Sequence, residues 1–337
     1  MINIQKREDY SNLIFYLSPF VAILLTLFFG SFIFLLLDLN PIESFKIFFI
    51  SPISNFYGLS ELLVKASPLA IIALGLSYCF KNNIYNIGAE GQLTMGAIFG
   101  GGVGLLFYES NSILLLPFMI LFGAIGGAFW ASIPAILKTK FNTNEILTSL
   151  MLTYIALLIL DYFVVGPWKD PNGYGLPKSR PFPDAGRLPI LFEGLRAHIG
   201  IYFVIIITVI SYFIFKRTLF GFKLKVTGFS FKASKYAGFR NNRLIIYTFL
   251  ISGACAGLAG IFEVTGPIGL LYRDISPNYG FTAIIVAFLG RLNPIGIVLS
   301  SLLIALTYLG AEDAQLFLML QLLCVHLLLN LLSQQFP

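Results

Sequence analysis

Asn82-Asn83-Ile84-Tyr85-Asn86-Ile87-Gly88-Ala89-Glu90-Gly91-Gln92-Leu93-Thr94-Met95-Gly96-Ala97-Ile98-Phe99-Gly100-Gly101-Gly102-Val103-Gly104 sets a carboxylate, several amides and a series of glycines inside otherwise apolar sequence. In lipid each unsatisfied polar group costs several kcal/mol, so such residues must find partners in protein or water. Read as a helix spanning Ile84–Phe107, the stretch places Asn83, Asn86, Glu90, Thr94, Ala97 and Gly101 at steps of three or four on one small, polar face. Gly96, Gly100 and Gly104 follow at four-residue steps, the small-xxx-small pattern that lets helices approach closely. The reading predicts a central helix rather than a lipid-facing one. Glu90 would lie about six residues, roughly 9 Å, into the span, and facing lipid there would cost roughly 2.5 to 3.5 kcal/mol. Two readings stay open: a helix break at Asn86–Gly91 lining a solute pathway, or a Glu90 that accepts backbone and amide hydrogen bonds and holds neighbouring helices in place.

The rest of the chain agrees with a membrane setting. Of 337 residues, 57% are hydrophobic and 11% charged, with a mean hydropathy of +0.85, far from the roughly 25% charged composition of soluble domains. The expected fold is an all-α, polytopic transmembrane helix bundle. At about 20 residues per span, the length admits roughly eight to ten helices and leaves no room for a separate soluble domain. Ten apolar runs are found, at 13–37, 62–80, 84–107, 113–137, 146–167, 198–215, 244–266, 279–290, 295–310 and 314–332. The first follows Lys6 and Arg7, is too long for a signal-peptide core and lacks a small-x-small cleavage site, so it reads as a retained helix. The run at Tyr279–Gly290 is short enough to be a half-helix.

The net charge of +6 reports orientation in a membrane protein rather than nucleic-acid binding. Lys and Arg concentrate in alternate connections, which places both termini in the cytoplasm. One of these, 216–243, holds Lys216, Arg217, Lys223, Lys225, Lys232, Lys235, Arg240 and Arg243 with no acid. Its centre, Phe231-Lys-Ala-Ser-Lys-Tyr-Ala-Gly-Phe239, reads as a short helix stopped at Gly238, and its charge also suits anionic membrane lipid. The opposite connection, 168–197, is rich in Pro and Gly and mixes both charge signs, so no long helix can form there; a functional external loop and a plain connector both fit. Pro277-Asn278-Tyr279-Gly280 opens its short apolar run much as Asn86-Ile87-Gly88 opens the earlier segment. The two run in opposite directions, as an inverted repeat of helices two to five and seven to ten requires.

Cys79, Cys255 and Cys324 fall singly in apolar sequence and read as small hydrophobes, and His198 and His326 are isolated. No phosphate-binding Gly-x-x-x-x-Gly-Lys-Ser/Thr loop and no hydrolase or zinc motif occurs. The chain is therefore not expected to be an enzyme, to hold a metal or cofactor, or to hydrolyse ATP itself.

Asn86-Ile-Gly-Ala-Glu-Gly-Gln92, Asn144-Glu-Ile-Leu-Thr-Ser-Leu-Met-Leu-Thr-Tyr-Ile155, Gly166-Pro-Trp-Lys-Asp-Pro171, Lys232-Ala-Ser-Lys-Tyr-Ala-Gly238, Gly253-Ala-Cys-Ala-Gly-Leu-Ala-Gly260 and Phe281-Thr-Ala-Ile-Ile-Val-Ala-Phe-Leu-Gly290 together resemble the permease subunits of bacterial ABC importers for nucleosides and simple sugars, within the wider branched-chain amino acid and ribose permease family. The resemblance covers about Ser67 to Gly310; Gln315–Pro337 departs from the family in detail. It implies one transmembrane permease domain in the bacterial inner membrane, a second permease subunit, similar or identical, and a partner ATPase with two nucleotide-binding halves that uses ATP and Mg. It also implies an external substrate-binding lipoprotein. Lys232, Ala233, Ser234, Lys235, Tyr236 and Gly238 match the family's coupling stretch, which docks on the ATPase. Asn83, Asn86, Glu90, Gln92, Thr94 and Asn278 are the pathway candidates. The rival class is an autonomous secondary transporter or channel with Glu90 as a titratable or cation-binding group; a basic coupling loop argues against it.

Overall fold

The computed structural model describes residues 12–36, 39–173, 175–191 and 193–335. The described chain is all-helical, with only isolated bridges of extended backbone. It divides into two compact units, 1–54 with 309–337, and 55–308.

In the first unit, α1 (Asn12–Leu36) is followed by α2 (Pro41–Phe49). Asn40 caps α2, its side chain accepting from the Ile42 N–H at 3.0 Å, and Pro41 starts the helix where no N–H is needed. Phe34 and Phe45 meet edge to face at 5.3 Å.

The second unit is built around α4 (Ala89–Leu106). Packed on it are α5 (Leu115–Phe141), α6 (Glu145–Val165), α10 (Asn241–Glu263, continued by a π-helical turn Val264–Ile268) and α11 (Tyr279–Leu289), while α3 (Phe56–Lys81) packs on α10 and α11, and α7 (Gly200–Arg217) on α3. Two short helices, α8 (Leu219–Phe229) and α9 (Phe231–Tyr236), link α7 to α10. The most extensive packing joins α5 to α10, α4 to α5, and α10 to α3 and α4. Small residues explain it. Gly96 lies so close to Gly257 that a methyl group added there would overlap the Gly257 backbone, Gly100 faces Ile261 of α10 and Met119 of α5, and Gly104 faces Met119 and Phe182, so the expected glycine steps let α10, α5 and the 168–197 connection approach α4.

Among the described residues six helices are long and apolar enough to cross a membrane: α3, α5, α6, α7, α10 with its π turn, and Pro294–Phe317. The α1–α2 pair, bent by 118°, would make a seventh. The structure is thus a multi-pass bundle, and three expectations are revised. The helix expected from Ile84 starts only at Ala89, because Asn83 adopts a left-handed φ of 55° and the chain turns through 82–88. Asn83 and Asn86 therefore leave the helical face that Glu90, Thr94, Ala97 and Gly101 keep. The runs 295–310 and 314–332 form one helix, α12 (Pro294–Gln335), which continues through Gly310 and Asp313 without a proline to break it. The 216–243 connection contains α8 besides the expected short helix, capped by Thr218, which accepts from the Gly221 N–H at 3.2 Å.

The Pro- and Gly-rich connection after α6 packs on the bundle. Ser179 donates its N–H to the Leu271 carbonyl at 2.8 Å, Phe182 to Gly269 at 2.8 Å and Leu188 to Thr265 at 3.0 Å. Phe182 and Leu188 are buried, and Phe182, Trp168 and Leu271 cover the glycine-rich far end of α4.

Candidate functional site

Four of the six pathway candidates are buried and bonded within the protein. Asn86 and Gln92 form a reciprocal amide pair: Asn86 Nδ2 donates to Gln92 Oε1 at 2.9 Å and Gln92 Nε2 donates to Asn86 Oδ1 at 3.0 Å. Asn86 Nδ2 also reaches Ser252 Oγ on α10 at 3.0 Å, while Asn86 Oδ1 accepts the Gly88 N–H at 3.1 Å. Ser149 Oγ on α6 accepts the Ile87 N–H at 3.2 Å. One turn thereby ties the start of α4 to α6 and α10. Amides suit this role because each carries both donors and an acceptor without a charge to desolvate.

Glu90, 3% exposed, accepts the Gly280 N–H through Oε2 at 2.6 Å. Gly280 is the second residue of α11, whose preceding residue, Asn278, is left-handed and supplies no side-chain cap. The Glu90 carboxylate thus serves as the cap that α11 lacks, placing negative charge where the helix dipole favours it. Glycine is required at 280, since a Cβ there would overlap the Glu90 backbone. Thr94 Oγ1 donates to the Glu90 carbonyl at 2.9 Å, a local bond within α4.

The remaining candidates lie elsewhere. Asn278 is exposed at the α11 start, and Asn83 is exposed and lines a basic cavity at the ends of α3 and α7. Cys79 and Cys255 are buried free thiols; the side chains of Cys324 and His326 lie outside the described set. His198, buried just before α7, accepts the Gly200 N–H through Nδ1 at 3.1 Å. Burial, aided by the nearby Arg196 charge, pushes its pKa down to about 4. Among the described residues no cluster of His, Cys, Asp or Glu could hold a metal ion.

The expected coupling stretch is α9. Ser230 caps it, accepting the Ala233 N–H at 3.2 Å, and the chain turns away at Gly238, with φ 78°. Ser234 points inward: its Oγ donates to Asn241 Oδ1 at 2.6 Å and lies 2.9 Å from Thr227 Oγ1. Asn241 Nδ2 donates in turn to the Phe231 carbonyl at 3.2 Å. Thr227 belongs to α8 and Asn241 to α10, so α9 is pinned to both. Lys232, Lys235 and Tyr236 remain exposed, Tyr236 at 97%. The sequence reading missed the Thr227–Ser234–Asn241 network; the equal seven-residue spacing of the three polar residues was its available signal.

A multi-pass bundle with a largely internal glycine-rich helix and a basic, helix-bearing connection defines a membrane permease rather than an enzyme. The chain belongs to the family described as branched-chain amino acid transport system, permease component, whose model matches residues 58–329. It is 33% identical over 325 residues, covering 93% of this chain and 85% of the relative, to a glucose ABC transporter permease protein of Haloferax volcanii. A nucleoside ABC transporter permease protein of Lactococcus lactis is 30% identical, covering 88% of this chain and 83% of the relative. A guanosine ABC transporter permease protein of Bacillus subtilis is 30% identical, covering 88% and 85% respectively. No solved structure matches the chain. The chain is thus an ABC transporter permease, and the comparisons do not support an autonomous carrier or channel.

Proposed function

We propose that this permease passes a nucleoside or simple sugar across the bacterial inner membrane as one half of a two-permease core. Its second half is a similar or identical subunit, an external lipoprotein delivers the solute, and a partner ATPase with two nucleotide-binding halves supplies the energy. The relatives named for glucose, nucleoside and guanosine transport support this solute range. The observation that carries the coupling role is α9, fixed from behind by Ser234 and presenting Lys232, Lys235 and Tyr236 outward. A rigidly seated helix can hand a partner's closure to α8 and α10, whereas a loose loop would absorb it.

In the same reading the termini and 216–243 are cytoplasmic and 168–197 is external. Asn86, Glu90 and Gln92 belong to the turn that fixes α4 against α6, α10 and α11 and so shape the pathway without touching solute, with Thr94 on the same face. The inverted repeat rests on the meeting of the α4 and α11 starts; with the last two apolar runs joined in α12, the eight to ten expected spans become at most nine. Labelling single cysteines at Glu109 and Arg273 tests this arrangement, since both are then external. Reconstitution with the ATPase, second permease and lipoprotein should give ATP-dependent uptake of labelled nucleosides or sugars, and the chain alone should give none. Uptake by the chain alone on an ion gradient would overturn the proposal.

A further inference from the structure

A cavity of about 550 Å³ opens where α3, α7 and α8 meet the turn between α11 and α12. Lys81, Lys216, Lys225 and Arg291 line it together with the amides of Asn83 and Asn293, and no lining residue is acidic. Among the described residues no carboxylate lies within ion-pair distance of Lys81, Lys216 or Lys225. Aromatic rings hold the cations in place: Lys81 Nζ lies 4.1 Å from the Phe215 ring centroid, and Lys216 Nζ donates to Tyr212 Oη at 2.8 Å. Three rim residues, Asn83, Arg291 and Leu292, have left-handed φ values of 55°, 52° and 54°, conformations that non-glycine residues keep only where the surroundings enforce them.

The depth of the cavity fixes its ligand. The spans Phe56–Lys81 and Gly200–Arg217 end there, and Pro294–Phe317 begins there, so the cations sit at the level of lipid headgroups. Phe80, Phe215 and Phe229 add apolar wall beside them. Like charges gathered at that depth, with amide donors and an apolar flank, match an anionic phosphate joined to acyl chains. We propose that this cavity binds the phosphodiester headgroup of an anionic glycerophospholipid. The inference needs only the membrane setting and is independent of solute and coupling.

The test is lipid retention. The purified full-length chain is placed in mixed micelles of phosphatidylglycerol and phosphatidylethanolamine, and the lipid remaining after gel filtration is quantified by mass spectrometry. The wild type should retain phosphatidylglycerol preferentially. Lys81→Gln with Lys225→Gln should lower that preference about twenty-five-fold, since each lysine at a membrane surface is worth roughly fivefold. Lys232→Gln with Lys235→Gln, the same charge change outside the cavity, should leave it unchanged. Lys216→Gln alone, which should lower the preference about fivefold, serves if the double variant does not elute as a folded species. Equal retention of both lipids, equal loss in the control pair, or unchanged retention in the cavity variants would each overturn the proposal. Inorganic phosphate and glycerol 3-phosphate are titrated in parallel: a lipid ligand resists both at low millimolar concentration, whereas release by either would assign the site to a soluble phosphate instead.

Discussion

The turn at Asn86–Gln92 and the segment Lys216–Arg243 are two polar parts of the Asn55–Tyr308 unit, and they handle polarity in opposite ways. In the first, Asn86, Glu90 and Gln92 are buried, and each is bonded to a named partner inside the chain. In the second, Thr227, Ser234 and Asn241 are turned inward and bonded to one another, while Lys232, Lys235 and Tyr236 face outward. Polarity consumed internally marks a packing joint. Polarity left over marks a surface meant for something else.

The contrast breaks most severely at the glycine contact between α4 and α10. Gly96→Val should force the two backbones apart at a cost above about 3 kcal/mol, seen as loss of monodisperse protein on gel filtration. A second large effect comes from His198, a buried polar group at the opposite end of the bundle. With its folded pKa near 4 against about 6.5 unfolded, the unfolded chain binds the extra proton between these values, so stability is full above pH 6.5 and falls as pH drops towards 4. The loss approaches about 3 kcal/mol, and His198→Asn should flatten this slope of melting temperature against pH.

Intermediate effects are expected at the joint itself. Glu90→Ala leaves the Gly280 N–H without its acceptor and should cost about 1 to 3 kcal/mol, as should Asn86→Ala. Glu90→Gln keeps an acceptor oxygen and should melt within about 1 kcal/mol of the wild type while retaining transport. A well-folded Glu90→Gln protein without transport would instead place the carboxylate on the solute path. The smallest effect on stability belongs to the outward surface: Lys232→Glu with Lys235→Glu should change it by less than about 0.5 kcal/mol yet abolish stimulation of the partner ATPase. Wild-type coupling in that variant would remove α9 as the docking element.

Much of the 216–243 connection was legible because capping is local. Ser230, Gly238 and the helix formers between them announce α9 from adjacent residues. The glycine steps in 96–104 and 253–260 likewise announce close helix contact. What misled was hydropathy: apolar periodicity carried the expected helix back through Asn83 and Asn86, although the chain turns at a left-handed Asn83, and the polar step at 310–313 divided α12, which runs straight through it.

By itself the sequence determined the membrane class, the internal placement of α4, the basic orientation signal and the family, all of which depend on composition, on residues a few positions apart or on motifs read along the chain. Only the tertiary structure decided what Glu90 and Asn86 do, because their partners Gly280 and Ser252 lie 190 and 166 residues away. The basic cavity is of the same kind. Its cations come from α3, α7, α8 and the turn before α12, and no local pattern along the chain records that folding gathers them at one depth in the membrane.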